Sequence, residues 1–217
     1  MLDNMWQKNL DENIPAVARI KTLVDKVNII HNVDSNILEQ EVDTFTQTLL
    51  FSAGMDDYPL STNPRSKLFT EIGENRERIT SIPDFLIRSK KIKTLTVIED
   101  KNSNDAIFAN QWMENLVLGE MFVAAHNIKV KETFDVFGVR IIGSLFTFFR
   151  ATITPEYIKE SSLGLPIKNH MKVLRYPDPG DDVHEINALD FCKLEGRKII
   201  IKYLERIRES LLKISTP

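Results

Sequence analysis

The chain has 217 residues, 42% of them hydrophobic, enough for one substantial core, so any second independent domain would have to be small. A formal net charge of −3 works against a whole-surface attraction to nucleic acid, so any basic face must be local, and a single cysteine, Cys192, excludes an intramolecular disulfide and a cysteine-rich zinc site. The longest nearly uncharged apolar stretch, Ile141 to Phe149, falls far short of the ~20 residues that span a bilayer, and Met1 to Asn13 lacks the basic-then-apolar order of a secretory signal; the expectation is an intracellular protein, nuclear or cytoplasmic, with no membrane partner.

Asn13-Ile14-Pro15 predicts the start of a helix reaching about Asn28, with Val17, Ile20, Val24 and Val27 at helical spacing. Asp34 or Ser35 can cap a second helix, whose Leu38, Val42, Phe45 and Leu49 form one apolar stripe ending near Gly54. Glu39 and Glu41 flank that stripe on opposite sides, where each is either a surface acid or a group able to reach a site at the rim of the core. Lys67 to Ile72, Ile79 to Ile87 and Thr94 to Ile98 read as three strands with short connections, a meander, with a turn at Gly73-Glu74-Asn75.

Asn102 or Ser103 is the expected cap of a long helix to about Asn127. Its Ile107, Phe108, Trp112, Met113, Leu116, Val117, Met121, Phe122 and Ala125 cover most of the circumference, so it should be largely buried. Gln111, Glu114 and Asn115 interrupt that surface on one stripe, exposed or bordering a site. Val136 to Ile142 and Leu145 to Ile153 predict two further strands parted at Gly143. Thr154-Pro155-Glu156 is a helix start and Gly164 a stop. Arg175 to Asp182 reads as a loop, and from about Leu189 an amphipathic helix carries Leu194, Ile200, Leu204, Ile207 and Leu211.

Chemistry concentrates at Ser81-Ile82-Pro83-Asp84-Phe85-Leu86-Ile87 and Val97-Ile98-Glu99-Asp100-Lys101. Folded as a hairpin about a turn near Ser89 to Lys93, these segments pair with residue numbers summing to 183 or 185, setting Asp84 opposite Glu99 or Lys101. Either register puts all three on one sheet face, because side-chain direction has period two. Two carboxylates and an ammonium at a hairpin's open end suit metal-assisted phosphodiester hydrolysis. The acids hold a divalent cation, and the lysine orients water or stabilises charge developing on phosphate. The bland alternative, one cross-strand salt bridge worth ~0.2–1 kcal/mol, leaves the second carboxylate unexplained. Lys90 and Lys91 sit at the hairpin tip, roughly 23 Å from the acids at a rise of ~3.3 Å per residue, and read as a solvated turn. His31, His126, His170 and His184 are scattered, no glycine-rich phosphate loop is present, and Cys192 lies in an apolar setting that suits an inert thiol.

On Pro83-Asp84 and Glu99-Asp100-Lys101, with this order of elements around them, the chain resembles the PD-(D/E)XK nucleases over about Ile37 to Ala151. The resemblance implies an α/β fold: a restriction-endonuclease-like core, helix-strand-strand-strand-helix-strand, with a mixed central sheet flanked by helices. Its expected organisation is a helical extension over 1–34, the core over 35–153 and a second helical extension over 154–217. Carried over by position, Asp84 and Glu99 would bind Mg2+ or Mn2+, the Asp100 carbonyl would add a ligand, and Lys101 would assist the nucleophilic water. Glu39 is the preferred auxiliary acid of the first helix, with Glu41 still open, and Gln111 matches a glutamine some members use. Val97 to Lys101, Gly119 to Ala125 and Phe137 to Gly143 are also similar to nuclease-like domains of fungal proteins, including those attached to Crinkler-type effectors. The implied function is metal-dependent cleavage of nucleic acid, DNA first, with a homodimer as one arrangement for cutting two strands. The alternative is an inactive nuclease-fold module that binds protein or nucleic acid.

Overall fold

A computed structural model of the chain describes residues 14–32, 39–89, 95–101, 110–128, 132–164, 168–179 and 187–213. Its architecture is mixed α/β. Helices α1 (Ile14–Asn32) and α2 (Glu39–Ser52) come first, then strands β1 (Leu60–Pro64), β2 (Leu68–Ile72), β3 (Glu77–Ser81), β4 (Phe85–Ser89) and β5 (Leu95–Lys101). Helix α3 (Asn110–His126), β6 (Phe134–Ile142), β7 (Leu145–Ile153), α4 (Pro155–Ser162), β8 (Val173–Tyr176), β9 (Leu189–Asp190) and α5 (Leu194–Lys213) follow. The main sheet runs β1-β4-β5-β6-β7-β8, with β9 also on β7; β5 and β6 are parallel and the other pairs antiparallel.

The alternation of apolar residues along these strands makes a three-layer molecule. On β4, Phe85 and Ile87 join Ile98, Val139, Phe146 and Phe148 beneath α1, α2 and α5, whereas Leu86 faces Val117, Met121, Phe149 and Ala151 beneath α3 and α4. The stripe expected on α2 is the one buried, since Val42, Phe45 and Leu49 enter the core together with Thr46 and Leu50. Ile200, Leu204, Ile207 and Leu211 of α5 join the same cluster. Gly138 of β6 fixes how closely α3 approaches: a Cβ there would stand 2.6 Å from Met121 Sδ and 2.8 Å from Val117 Cγ1. Thr154 caps α4, its hydroxyl accepting from the Tyr157 amide at 3.2 Å with proline at the first turn, as the sequence predicts.

The expected meander of three successive strands does not form: β1, β4 and β5 lie side by side, with the β2–β3 hairpin inserted in the chain between β1 and β4. Ile79 to Ile87 is not one strand: the chain leaves the ladder at Ile82-Pro83-Asp84, where proline cannot donate, so β3 and β4 belong to different sheets. The Lys67 to Ile72 strand is β2, which pairs only with β3 in a separate hairpin about Gly73–Arg76. Its place in the main sheet is taken by β1, a short edge strand ending in proline with little alternation to announce it. The segment read as a loop from Arg175 begins inside β8, an edge strand that extends back to Val173. The helix read from Leu189 starts at Leu194, because Leu189–Asp190 pairs with β7. Leu116, assigned to the buried surface of α3, is 45% exposed. The caps expected at Asp34 or Ser35 and at Asn102 or Ser103, and the hairpin tip at 90–94, lie outside the described residues.

Candidate active site

The β4–β5 ladder pairs Phe85 with Ile98, Leu86 with Val97, Ile87 with Thr96 and Arg88 with Leu95, so the residue numbers sum to 183. Carried one step beyond the last pair, that register sets the position of Asp84 opposite Glu99, Asp84 itself lying in the bend just outside the ladder. Of the two registers the sequence permits, this sets the carboxylate positions, rather than aspartate and lysine, side by side. Glu99, Asp100 and Lys101 continue β5 against Arg140, Ile141 and Ile142 of β6. The side chains of Glu99, Asp100, Lys101 and Gln111 lie outside the described residues; their backbone positions at the end of β5 and the start of α3 are described.

Asp84 is half-buried in the bend between β3 and β4, and its carbonyl accepts from the Arg65 amide at 2.9 Å. Arg65, just after β1 with φ of 48°, reaches back to α2, where its Nη2 lies 3.0 Å from Asp43 Oδ2. A single arginine therefore ties the Asp84 backbone to the edge of α2 that carries Asp43. Glu39 is one turn before Asp43 on that same edge, whereas Glu41 lies on the other. Glu39 therefore shares its edge with Asp43, an acid that nothing in the sequence singles out. Asp43 Oδ1 is buried with no hydrogen-bond partner among the described residues, a costly state for a carboxylate oxygen that a cation or a further donor would relieve.

Behind the end of β5 sits a second charged cluster. Arg140, the register neighbour of Glu99, is 3% exposed, with Nη2 3.0 Å from Glu114 Oε1 and 3.3 Å from Thr147 Oγ1. Glu114 also accepts from Arg175 of β8, Nη2 at 2.9 Å and Nε at 3.1 Å. Arg175 in turn donates to the carbonyls of Pro177 and Asn187. Burial pulls the Arg140 pKa down, the Glu114 carboxylate raises it and Arg175 lowers it again. One carboxylate between two guanidiniums locks α3, β6 and β8 together on the face where Arg140 lies. Glu114 was visible in the sequence as a polar interruption of α3, but Arg140, inside an apolar strand, gave no signal except a charge where burial was expected.

Burial pushes the Cys192 thiol up, with Asp190 acting in the same direction, which suits a non-nucleophilic thiol. Among the described residues no group of three His, Cys, Asp or Glu is assembled around a metal position. The donors available at the open end are carboxylates and a strand carbonyl, hard oxygen ligands that fit Mg2+ or Mn2+ and not a thiol-seeking metal. Asp43 is joined to this end only through Arg65, whose amide and guanidinium contact the Asp84 carbonyl and the Asp43 carboxylate.

No protein-family model matches the chain, and no curated protein sequence is significantly similar to it. No helix among the described residues is long and apolar enough to cross a membrane.

Proposed function

We infer that the protein is a metal-dependent nuclease built on a restriction-endonuclease-like core, hydrolysing phosphodiester bonds in DNA. The observation that carries the reading is the 183 register of β4 and β5, which sets the position of Asp84 opposite Glu99 at the end of a hairpin. The surrounding order supports it: α2, the adjacent antiparallel strands β1-β4-β5, then α3 and the parallel strand β6.

In this reading Asp84, Glu99 and the Asp100 carbonyl hold Mg2+ or Mn2+, which when bound supplies a lowered pKa to water and neutralises charge on phosphate. Lys101 orients the attacking water and offsets charge on the phosphoryl oxygens. Glu39, on the edge of α2 tied to Asp84, is the auxiliary acid, and Gln111 at the start of α3 positions the substrate. Arg140 and Glu114 hold β6 and α3 in place around β5.

The test is incubation of the protein with supercoiled plasmid, with and without Mg2+ or Mn2+, beside Asp84→Ala and Lys101→Ala proteins shown by circular dichroism to be folded. Metal-dependent nicking lost in both variants is the expected result. No cleavage of plasmid, single-stranded DNA or RNA would sink the reading. The net charge of −3 favours a second reading, an inactive module of the same fold that binds a protein.

A further inference from the structure

We propose that the groove between β3 and α3 is a base-binding subsite for a nucleotide next to the phosphate held at Asp84, selecting bases that carry an exocyclic amine. The inference rests on the nuclease reading for its substrate, and on the groove's own features for its chemistry.

The groove has a volume of about 400 Å³, inside the ~300–1,000 Å³ range of small-molecule sites. One wall is Thr80, Ser81 and Ile82, and the chain then runs directly into Pro83-Asp84, so Asp84 is at most roughly 10 Å of chain from Ser81 at ~3.3 Å per residue. The opposite wall is α3. Gln111, Asn115 and Gly119 follow at four-residue spacing, so this helix wall leads from the groove up to the position of Gln111. The β3 wall therefore ends at Asp84.

Two features mark the groove as more than a seam between elements. Gly119 lies in the middle of α3, where glycine is the weakest helix former after proline. A Cβ built there would meet nothing within 4 Å, so packing does not require the glycine. Its absent side chain leaves the helix wall of the groove open. The second feature is Glu120, a carboxylate only 3% exposed that lines the same groove, with Oε1 3.4 Å from Ser81 Oγ. A carboxylate at the bottom of a groove accepts from N–H donors.

The rim is apolar. Ile82 is 51% exposed and Leu116 is 45% exposed, one on each wall, and Asn115 adds a donor and an acceptor. A flat ring with apolar faces and N–H groups on its edge matches this lining. Cytosine, adenine and guanine present an amine to Glu120, as carboxylates accept from cytosine N4 in groove readout. Thymine and uracil offer a single N3–H flanked by two carbonyl oxygens that the carboxylate repels, and are disfavoured.

The test uses the full chain with fluorescein-labelled dC, dA, dG and dT hexamers, binding read by anisotropy in Ca2+ and cleavage in Mg2+. The wild type should bind the amine-bearing hexamers more tightly than dT. Gly119→Leu, which fills the groove, should weaken them by about tenfold, the scale of one stacked base. Glu120→Gln should reduce the preference over dT. Leu116→Ser, at an exposed position, keeps the test decisive if the leucine variant does not fold. Base-selective binding lost in these variants without any cleavage supports the groove and overturns the nuclease reading. Cleavage with binding and base preference unchanged in all three variants overturns the groove and leaves the nuclease. No binding of any hexamer overturns the groove.

Discussion

Gly138→Ala perturbs the contact that sets the distance between α3 and the sheet. The new methyl would lie 2.6 Å from Met121 Sδ and 2.8 Å from Val117 Cγ1, both closer than packed carbon or sulfur atoms stand. Met121 is flexible and can swing aside, but Val117 is branched at Cβ and fully buried, so α3 must shift. Overpacking of this kind costs ~1–3 kcal/mol, and replacing a strand glycine by alanine returns ~0.5–1 kcal/mol, leaving a net loss of roughly 0–2.5 kcal/mol. In a chain of this size the loss lowers Tm by up to about 10 °C. Urea unfolding of wild type, Gly138→Ala, Val117→Ala and the double variant would measure it. The double variant should be more stable than the sum of the singles by about 0.5 kcal/mol or more, because the smaller residue 117 makes room. Additive effects of the two substitutions would refute the close-packing assignment.

Glu114→Ala should destabilise by about 2–4 kcal/mol, because Arg140 loses the carboxylate that offsets its burial, whereas Arg140→Met should cost less; chemical denaturation of both variants checks the order. His126 contributes a pH dependence of known sign. Burial lowers its pKa below 6.5, against a smaller upward pull from its bond to the Phe122 carbonyl. Below the unfolded value the unfolded chain binds more protons, so this contribution is complete above about pH 6.5 and falls as the pH drops towards the folded pKa. Denaturant midpoints near pH 5.5 and 7.5 should therefore converge in His126→Gln relative to wild type. Lys101→Arg should not restore cleavage although it keeps the charge, because a broad planar guanidinium does not replace a compact ammonium; a rate within about tenfold of wild type in a plasmid assay would contradict the assigned role.

Elements whose residues carry strong periodicity were legible in the sequence. The stripe Val42, Phe45, Leu49 predicted the buried face of α2, and Leu145–Ile153 was bounded correctly because a turn at Gly143 and the Thr154-Pro155 helix start frame it. The misreadings share one cause, that local pattern does not say which sheet a strand joins. Ser81 to Ile87 is continuously apolar enough to pass for one strand, and only the proline at 83 marks the bend that separates β3 from β4. β1 and β8 are short edge strands, so neither needs the apolar run that reveals a central strand. At the candidate site, Asp84, Glu99 and Lys101 stood out by residue type and spacing. Asp43 and Arg140 did not, since their roles come from contacts with Arg65 and Glu114, distant in sequence.

The convergence of Asp84 and Glu99 on one cation is tested most directly by Mn2+ affinity, read by paramagnetic resonance, in wild type, Asp84→Ala, Glu99→Ala and the double variant. Each single variant should lose about tenfold or more at the same Mn2+ site, and the double should bind no more tightly than the weaker single, because both groups serve the same ion. Affinity unchanged by either substitution would contradict the account.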